Sequence, residues 1–350
     1  MTRAHQVLSG AGPYDAVTGQ ALAWRELLGR RDLGGEVWAD AIDPRVRRHV
    51  RDVGGLQPAA DDLLVIHHSA FAPRLRRLLD APARKLLVYH NVTPARYLWN
   101  HHAGVAVACA LGRGQLPRWG RAADVLAAVS AFNAGELERA AGAEPGSARV
   151  TPILLEPERL SDRAELPLAG DGPLVLVVGR LVPNKRHDLV LDAFAAYQRE
   201  CAPDARLLCV GEAITPSYRA LVEGLVERSG ASGVHLAGGV TQPQLNAAYA
   251  AADVVLSMSE HEGFCVPLLE AFHFGVPVVA RPAGGMPEVG SDAVLWTDDD
   301  VAVTAELLDL AVRDDELRAE LARRGAARSA EYAPERVAER INAAVDAALQ

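Results

Sequence analysis

Short apolar runs alternate with longer amphipathic segments from one end of this chain to the other, and that alternation limits the fold more than any other feature. The runs "QVLS", "GEVWAD", "LLVIHH", "KLLVYHN", "VLAAVS" and "RVTPILL" lie in the first half. "PLVLVVG", "ARLLCVG", "VHLAG", "DVVLSMS", "VPVVAR" and "AVLWT" lie in the second. Runs this short and apolar read as strands buried on both faces, with the longer segments as the helices that cover them. Two sets of six, each starting afresh with a strand, predict an α/β chain of two doubly wound domains in tandem.

The boundary between them is legible too. Residues 156–173, "EPERLSDRAELPLAGDGP", are rich in Pro, Gly and charge and only weakly periodic, as a linker is. Domains are therefore expected over 1–160 and 171–335. In the closing segment, 336–350, Val337, Ile341, Ala344, Val345 and Ala348 fall on one helical face. That stripe needs a cover, either from its own domain or by crossing back to the first.

A length of 350 residues suits two medium domains better than one core. The net charge of −9 argues against nucleic acid or an anionic membrane as a general partner, while leaving room for a local basic pocket that takes a phosphorylated small molecule. Four cysteines without a CxxC pair suggest neither a disulfide framework nor a zinc knuckle. The first residues lack the apolar segment of a secretion signal, and no run reaches the ~18 apolar residues of a membrane span. The expectation is a cytoplasmic protein with no transmembrane segment, peripheral attachment at the inner membrane surface remaining open.

In "VLVVGRLVPNKRHDLVLDAF" a buried strand ends at Gly179, a loop carries Arg180 and Lys185, and a helix follows from about His187. Ligands of open α/β sheets bind beyond the carboxyl ends of the strands, and two cations on such a loop suit a diphosphate, Arg as a fork and Lys as a point charge. "DVVLSMSEHEGFCVPLLEAF" repeats the arrangement: a strand, then Glu262 and Gly263, then a helix with Pro267 in its first turn and Glu270 one turn in. Gly263 allows close backbone approach, and the amides of Phe264, Cys265 and Val266 aim donors and the helix dipole at an anion. A carboxylate accepts two hydroxyl bonds at once, so Glu270 is suited to the sugar of a nucleotide and Glu262 to a second sugar.

Taken in order, "VSAFNAGEL", "VVGRLVPNKR" and "HLAGGVTQPQLNAAYAAADVVLSMSEHEGFCVPLLEAFHFGVPVVARPAGGMPEVG" resemble the retaining glycosyltransferases of family 4, including the E-x7-E signature as Glu262 and Glu270. The resemblance spans most of residues 125–295. It implies the GT-B arrangement, two tandem Rossmann-like domains facing a central cleft, with the acceptor on the first domain and a nucleotide diphosphate sugar on the second. It also implies that Arg180 and Lys185 hold the donor diphosphate, Glu270 the ribose and Glu262 the transferred sugar, with backbone and Glu288 of "AGGMPE" near the donor. This chain has Arg186 and Cys265 where the family often has glycine. A histidine facing the reacting sugar is common in the family, and His90, at the end of "KLLVYHN", is the candidate, followed by Asn91.

Three other features bear on the site. The loop "SGAGPYDAVTGQ" fails as a dinucleotide fingerprint, because Asp15 stands where GxGxxG needs its third glycine. Gly10 and Gly12 give room there for acceptor or diphosphate, and Asp15 for an acceptor hydroxyl. His67 and His68, at another strand end, are expected along the acceptor side, and His101 and His102 on the surface. Asp298 and Asp300 form a DxD, read as a helix cap rather than a metal site; no metal and no cofactor are expected. The function expected is transfer of a hexose from a UDP- or GDP-linked sugar, of mannose or glucose type, to the hydroxyl of a sugar, lipid-linked or small-molecule acceptor, with retention and without metal. The rivals are a non-catalytic sugar-nucleotide binding module and an epimerase or dehydrogenase on a similar fold.

Overall fold

The computed structural model describes residues 2–13, 15–166 and 170–350. The first sheet holds β1 (Ala4–Ala11), β2 (Val37–Ile42), β3 (Arg51–Asp52), β4 (Leu63–His68), β5 (Arg84–Tyr89), β6 (Val125–Ala128) and β7 (Arg149–Val150), in the order β3-β2-β1-β4-β5-β6-β7. The second holds β8 (Leu174–Val178), β9 (Arg206–Val210), β10 (Val234–Gly238), β11 (Val254–Ser257), β12 (Val278–Ala280) and β13 (Leu295–Trp296), in the order β10-β9-β8-β11-β12-β13. Each sheet winds outward in both directions from its first strand, so the strand order reverses between β1 and β4 and between β8 and β11. A crevice opens at such a reversal.

The helices are α1 (Ala16–Gly29), α2 (Ala103–Ala122), α3 (Ala131–Ala141), α4 (His187–Glu200), α5 (Pro216–Ser229), α6 (Gln242–Ala251), α7 (Val266–His273), α8 (Met286–Gly290), α9 (Val301–Arg313), α10 (Asp315–Glu331) and α11 (Pro334–Leu349). The chain divides into two compact units. One comprises the residues up to Trp99, Ala103–Leu154 and Tyr332–Gln350; the other comprises Asn100–His102 and Leu155–Glu331.

In the first unit, alternate residues of each central strand enter different cores, the period-2 consequence of a sheet covered on both faces. Leu64 and Ile66 of β4 pack with Leu116 and Trp119 of α2 and Leu137 of α3. Leu63 and Val65 pack instead with Trp24 and Leu28 of α1 and with Val337, Ile341, Ala344, Val345 and Ala348 of α11. The apolar stripe of the last helix is therefore covered by the first sheet. In the second unit, Val175, Val177, Leu207, Val254 and Leu256 pack against Val190, Leu191, Phe194 and Tyr197 of α4 and Ala305 and Leu308 of α9.

Two strand expectations change. The exposed pair Arg51–Asp52 forms an edge strand that charge had hidden in the sequence. "RVTPILL" pairs as a strand only over Arg149–Val150. Pro152 has no N–H for a ladder, and the side-chain amide of Gln20 takes over: its Nε2 donates to Leu154 O and its Oε1 accepts from Leu154 N, both at 2.8 Å. Within the expected linker, Asn246 Nδ2 donates to the carbonyls of Arg159 and Asp162 at 2.8 Å each, tying that stretch to α6; residues 167–169 lie outside the described residues, as does Tyr14 of the loop after β1.

Candidate active site

At the strand reversal of the second sheet, two loops are stitched together. The loop after β8 runs through Gly179 and exposed Arg180 to a 3-10 turn at Pro183–Lys185. The loop after β11 carries Glu260, His261 and Glu262 to α7. Buried Asn184 donates its side-chain amide to His261 O (3.2 Å), and Glu260 N donates to Asn184 O (2.8 Å). Lys185 Nζ then lies 2.5 Å from Glu262 Oε1. A Cβ on Gly179 would sit 2.9 Å from Lys185 Nζ, so the bare glycine is what makes room for the ammonium. Burial disfavours the charge on Lys185, but Glu262 outweighs that effect and Lys185 titrates above the usual lysine range.

A third loop, after β12, fixes Glu262 from behind. Gly285 N donates to Glu262 O at 3.0 Å. Gly284 has φ 56°, and a Cβ there would fall 2.0 Å from the same carbonyl. Expected roles at the start of α7 rest on backbone: the side chains of Phe264 and Cys265 are buried, Val266 opens the helix, and Leu268 N already donates to Cys265 O at 3.1 Å. The two positions where this chain departs from glycine, Arg186 and Cys265, both hold left-handed backbone, at φ 52° and 72°. Arg186 is held there by Asp188 (2.8 Å) and Glu260 (2.5 Å), hydrogen bonds that raise its already high pKa, Asp188 first.

Glu270 is buried inside α7 and accepts a hydrogen bond from Tyr249 Oη at 2.8 Å. Burial pushes its pKa up, against the opposing pull of Tyr249 and Arg159. His187, the first residue of α4, is buried and its pKa is lowered to about 4, by burial and then by Lys185. Sequence reasoning missed Asn184 and Tyr249, while Gly284 lies in the stretch "AGGMPE" whose backbone was expected near the donor.

In the first unit the expected residues separate. Adjacent residues of a strand face opposite ways, and the His67–His68 pair is split accordingly. His68 donates from Nε2 to Gly112 O of α2 at 2.9 Å, and its pKa is lowered to about 4 by burial. His67 bonds His90 (Nδ1 to Nε2, 2.8 Å) and Gln6 (Nε2 to Oε1, 2.9 Å). Both are fully buried, which corrects the expectation that they line the acceptor side. His90 retains part of its surface. Asn91, at φ 79°, donates its side-chain amide to Asn133 Oδ1 at 2.8 Å.

Asp15 is exposed and stands just before α1. It caps α1, with Oδ1 accepting from Val17 N and Oδ2 from Thr18 N and Thr18 Oγ1, so both oxygens are engaged. Thr18 Oγ1 in turn accepts from Gly12 N at 3.1 Å, and a Cβ on Gly10 would be 3.9 Å from Ala41 O, an ordinary contact. Asp300 caps α9 through Ala302 N and Val303 N, while Asp298 accepts from Asp300 N. His101 is half-buried rather than on the surface, its ring edge-on to Tyr218 at 5.1 Å.

Three loops at one strand reversal, carrying a cation pair and two carboxylates, are the setting in which comparison becomes informative. Residues 158–328 match the glycosyl transferases group 1 family. The match covers nearly all of the second unit. Among curated proteins, the chain is 33% identical over 258 residues to a D-inositol 3-phosphate glycosyltransferase of Segniliparus rotundus, covering 69% of this chain and 55% of the relative. It is 30% identical over 213 residues to a GDP-mannose-dependent alpha-(1-6)-phosphatidylinositol monomannoside mannosyltransferase of Mycolicibacterium smegmatis, covering 56% and 55%. The chain thus spans about half the length of these relatives. Among solved structures, Anabaena HepE in complex with UDP and glucose superposes with a TM-score of 0.71 at 19% identity, over 98% of this chain and 99% of that one. The fold is that of the GT-B glycosyltransferases, two Rossmann-like units of parallel sheet and helix. Among the described residues, no helix is long and apolar enough to cross a membrane.

Proposed function

We propose that this protein transfers a hexose from a nucleotide diphosphate sugar to an acceptor hydroxyl, with retention of configuration and without a metal ion. The observation that carries the reading is the Lys185–Glu262 pair at the strand reversal of the second sheet, with exposed Arg180 earlier on the Lys185 loop and Glu270 on the helix after Glu262. A diphosphate, a ribose and a hexose are the three parts of such a donor, and these residues offer cations to the first and carboxylates to the others.

In this reading Arg180, Lys185 and the first amides of α7 stabilise the diphosphate as its charge develops. The bond from the anomeric carbon to the phosphate oxygen breaks, and a bond from that carbon to the acceptor oxygen forms on the same face. The acceptor proton passes to the departing phosphate oxygen. Glu262 offsets the positive charge that gathers on the sugar ring, and Glu270 orients the ribose. The names of the relatives favour a donor of the UDP-glucose or GDP-mannose kind, and an acceptor hydroxyl on a polyol or phosphoinositide headgroup is in keeping with them.

The test is a panel of UDP- and GDP-linked hexoses incubated with the protein, with and without EDTA, and released nucleoside diphosphate measured alongside product mass. Turnover of one donor that survives EDTA within about twofold is expected, because cations and amides already meet the charge. Loss of turnover with rescue by manganese overturns the metal-free mechanism, and turnover of no donor overturns the function.

A further inference from the structure

The hydrogen bonds behind His90 start at a backbone carbonyl, and that start gives the whole chain a direction. Gln6, fully buried on β1, donates its side-chain Nε2 to Ala4 O at 3.2 Å. The reversed amide would set two oxygens against each other in a buried site, so this contact fixes which end of Gln6 faces His67. Oε1 carries no proton and must accept, and His67 Nε2–H donates to it at 2.9 Å. A neutral imidazole has one N–H. His67 Nδ1 therefore holds a lone pair and accepts from His90 Nε2–H at 2.8 Å. By the same count, His90 Nδ1 has no proton, and among the described residues no protein group bonds it.

The neutrality that this count needs is supported by the surroundings. Burial drives the pKa of His67 well below its usual value, with His90 adding to the effect, and takes His90 down to about 3, with His68 adding to it. Trp24 packs edge-on to the His67 ring, centroids 5.4 Å apart at 77°, and restrains its plane.

We propose that Gln6 and His67 are positioning residues that lock His90 in its Nε2–H tautomer, presenting Nδ1 as an acceptor for a hydroxyl group of the substrate rather than for one of its phosphate oxygens. A hydroxyl has a proton to donate to that lone pair. An ionised phosphate oxygen has none and is repelled by it. Assigning the hydroxyl to a sugar or acceptor rests on the glycosyl-transfer reading; the tautomer does not.

Long-range nitrogen–proton correlation NMR on the histidine-labelled protein tests the lock directly, with His90→Ala used to assign the ring. The expected spectrum at pH 7 shows His90 with a protonated Nε2 and an unprotonated Nδ1. In Gln6→Leu, which removes the acceptor that orients His67, the His90 signals should shift towards a mixture of tautomers. Turnover of the donor found in the nucleotide-sugar panel should then fall by about tenfold, the size of one hydrogen bond of ~1.4 kcal/mol. A proton on His90 Nδ1, or a charged ring, overturns the lock whatever the activity. An Nε2–H signal with unchanged turnover in His90→Ala overturns the hydroxyl contact. An Nε2–H signal in a protein that turns over no nucleotide sugar upholds the lock and overturns the function alone. If Gln6→Leu does not fold, the wild-type spectrum still decides the tautomer.

Discussion

Lys185 and Glu262 meet Nζ to Oε1 at 2.5 Å although 77 positions separate them in the chain. One comes from the loop after β8 and the other from the loop after β11, and these strands are neighbours only because the sheet reverses there. The pair is mostly buried, with side-chain exposures of 17% and 14%, so each charge depends on the other.

Arg180 and Lys185 should therefore fail differently. Either change to alanine is expected to weaken nucleoside diphosphate binding by about 10- to 150-fold, a loss of roughly 1.5–3 kcal/mol, with nucleoside binding unchanged. Arg180 is exposed, so its loss should leave stability within about 0.5 kcal/mol. Lys185→Ala strands Glu262 without its cation and should also lower the melting temperature. Calorimetry and thermal melts separate the two effects, and equal diphosphate affinity in wild type and both variants removes this loop from the site.

The two carboxylates are expected to divide between turnover and affinity. Glu262→Gln should chiefly lower kcat, since its charge acts on a sugar that becomes positive only in the transition state. Glu270→Gln should mainly weaken donor binding, the ribose being a part of the donor that does not react. Steady-state kinetics with donor affinity measured separately decides between this division and its reverse.

Glu270 also makes a prediction about pH. Its folded-state pKa is raised by burial above the ordinary value of 4.5. Its contribution to stability is then fully present below about pH 4.5 and is lost as pH rises through the raised value. Glu270→Gln has no charge to bury and should melt higher than wild type at pH 7.5, by ~2–4 °C for each kcal/mol released. The gap should close near pH 4. An advantage that persists unchanged at pH 4 would assign the effect to packing rather than to charge.

Gly284→Ala should lower turnover although residue 284 bears no side chain to lose. Its φ of 56° disfavours any Cβ, and the added atom would lie 2.0 Å from Glu262 O, so the loop must move and take Glu262 with it. Reduced kcat is expected, with a smaller loss of diphosphate affinity because Lys185 pairs with the displaced Glu262. Wild-type kcat in this variant would show that the backbone of Glu262 does not need Gly284.

Much of this molecule is legible in its sequence. The alternation of apolar runs fixed the two parallel sheets, because a strand buried on both faces must be apolar throughout and a covering helix must be amphipathic. The E-x7-E stretch put Glu262 beyond a strand end and Glu270 one turn into a helix, because a strand end, a glycine and a helix start are local features. Other readings failed where the deciding partner was distant. "RVTPILL" looked like a strand, but Pro152 and the Gln20 amide replaced its ladder. Tyr249 gave no sign that it would bond Glu270.

Sequence by itself determined the element types, the doubly wound class and the residues that stand at the strand ends. Tertiary structure alone decided which of those residues meet. The stripe on α11 demanded a cover, yet nothing local said that β5 and β6 of the first sheet would supply it. Likewise the letters HH at 67 and 68 said that two imidazoles lie at a strand end, but the pleat sent one to α2 and the other to His90 and Gln6. Periodicity is written along the chain because neighbours in sequence share one backbone. A hydrogen bond between residues 61 positions apart is not, because it exists only once the sheet has brought their strands side by side.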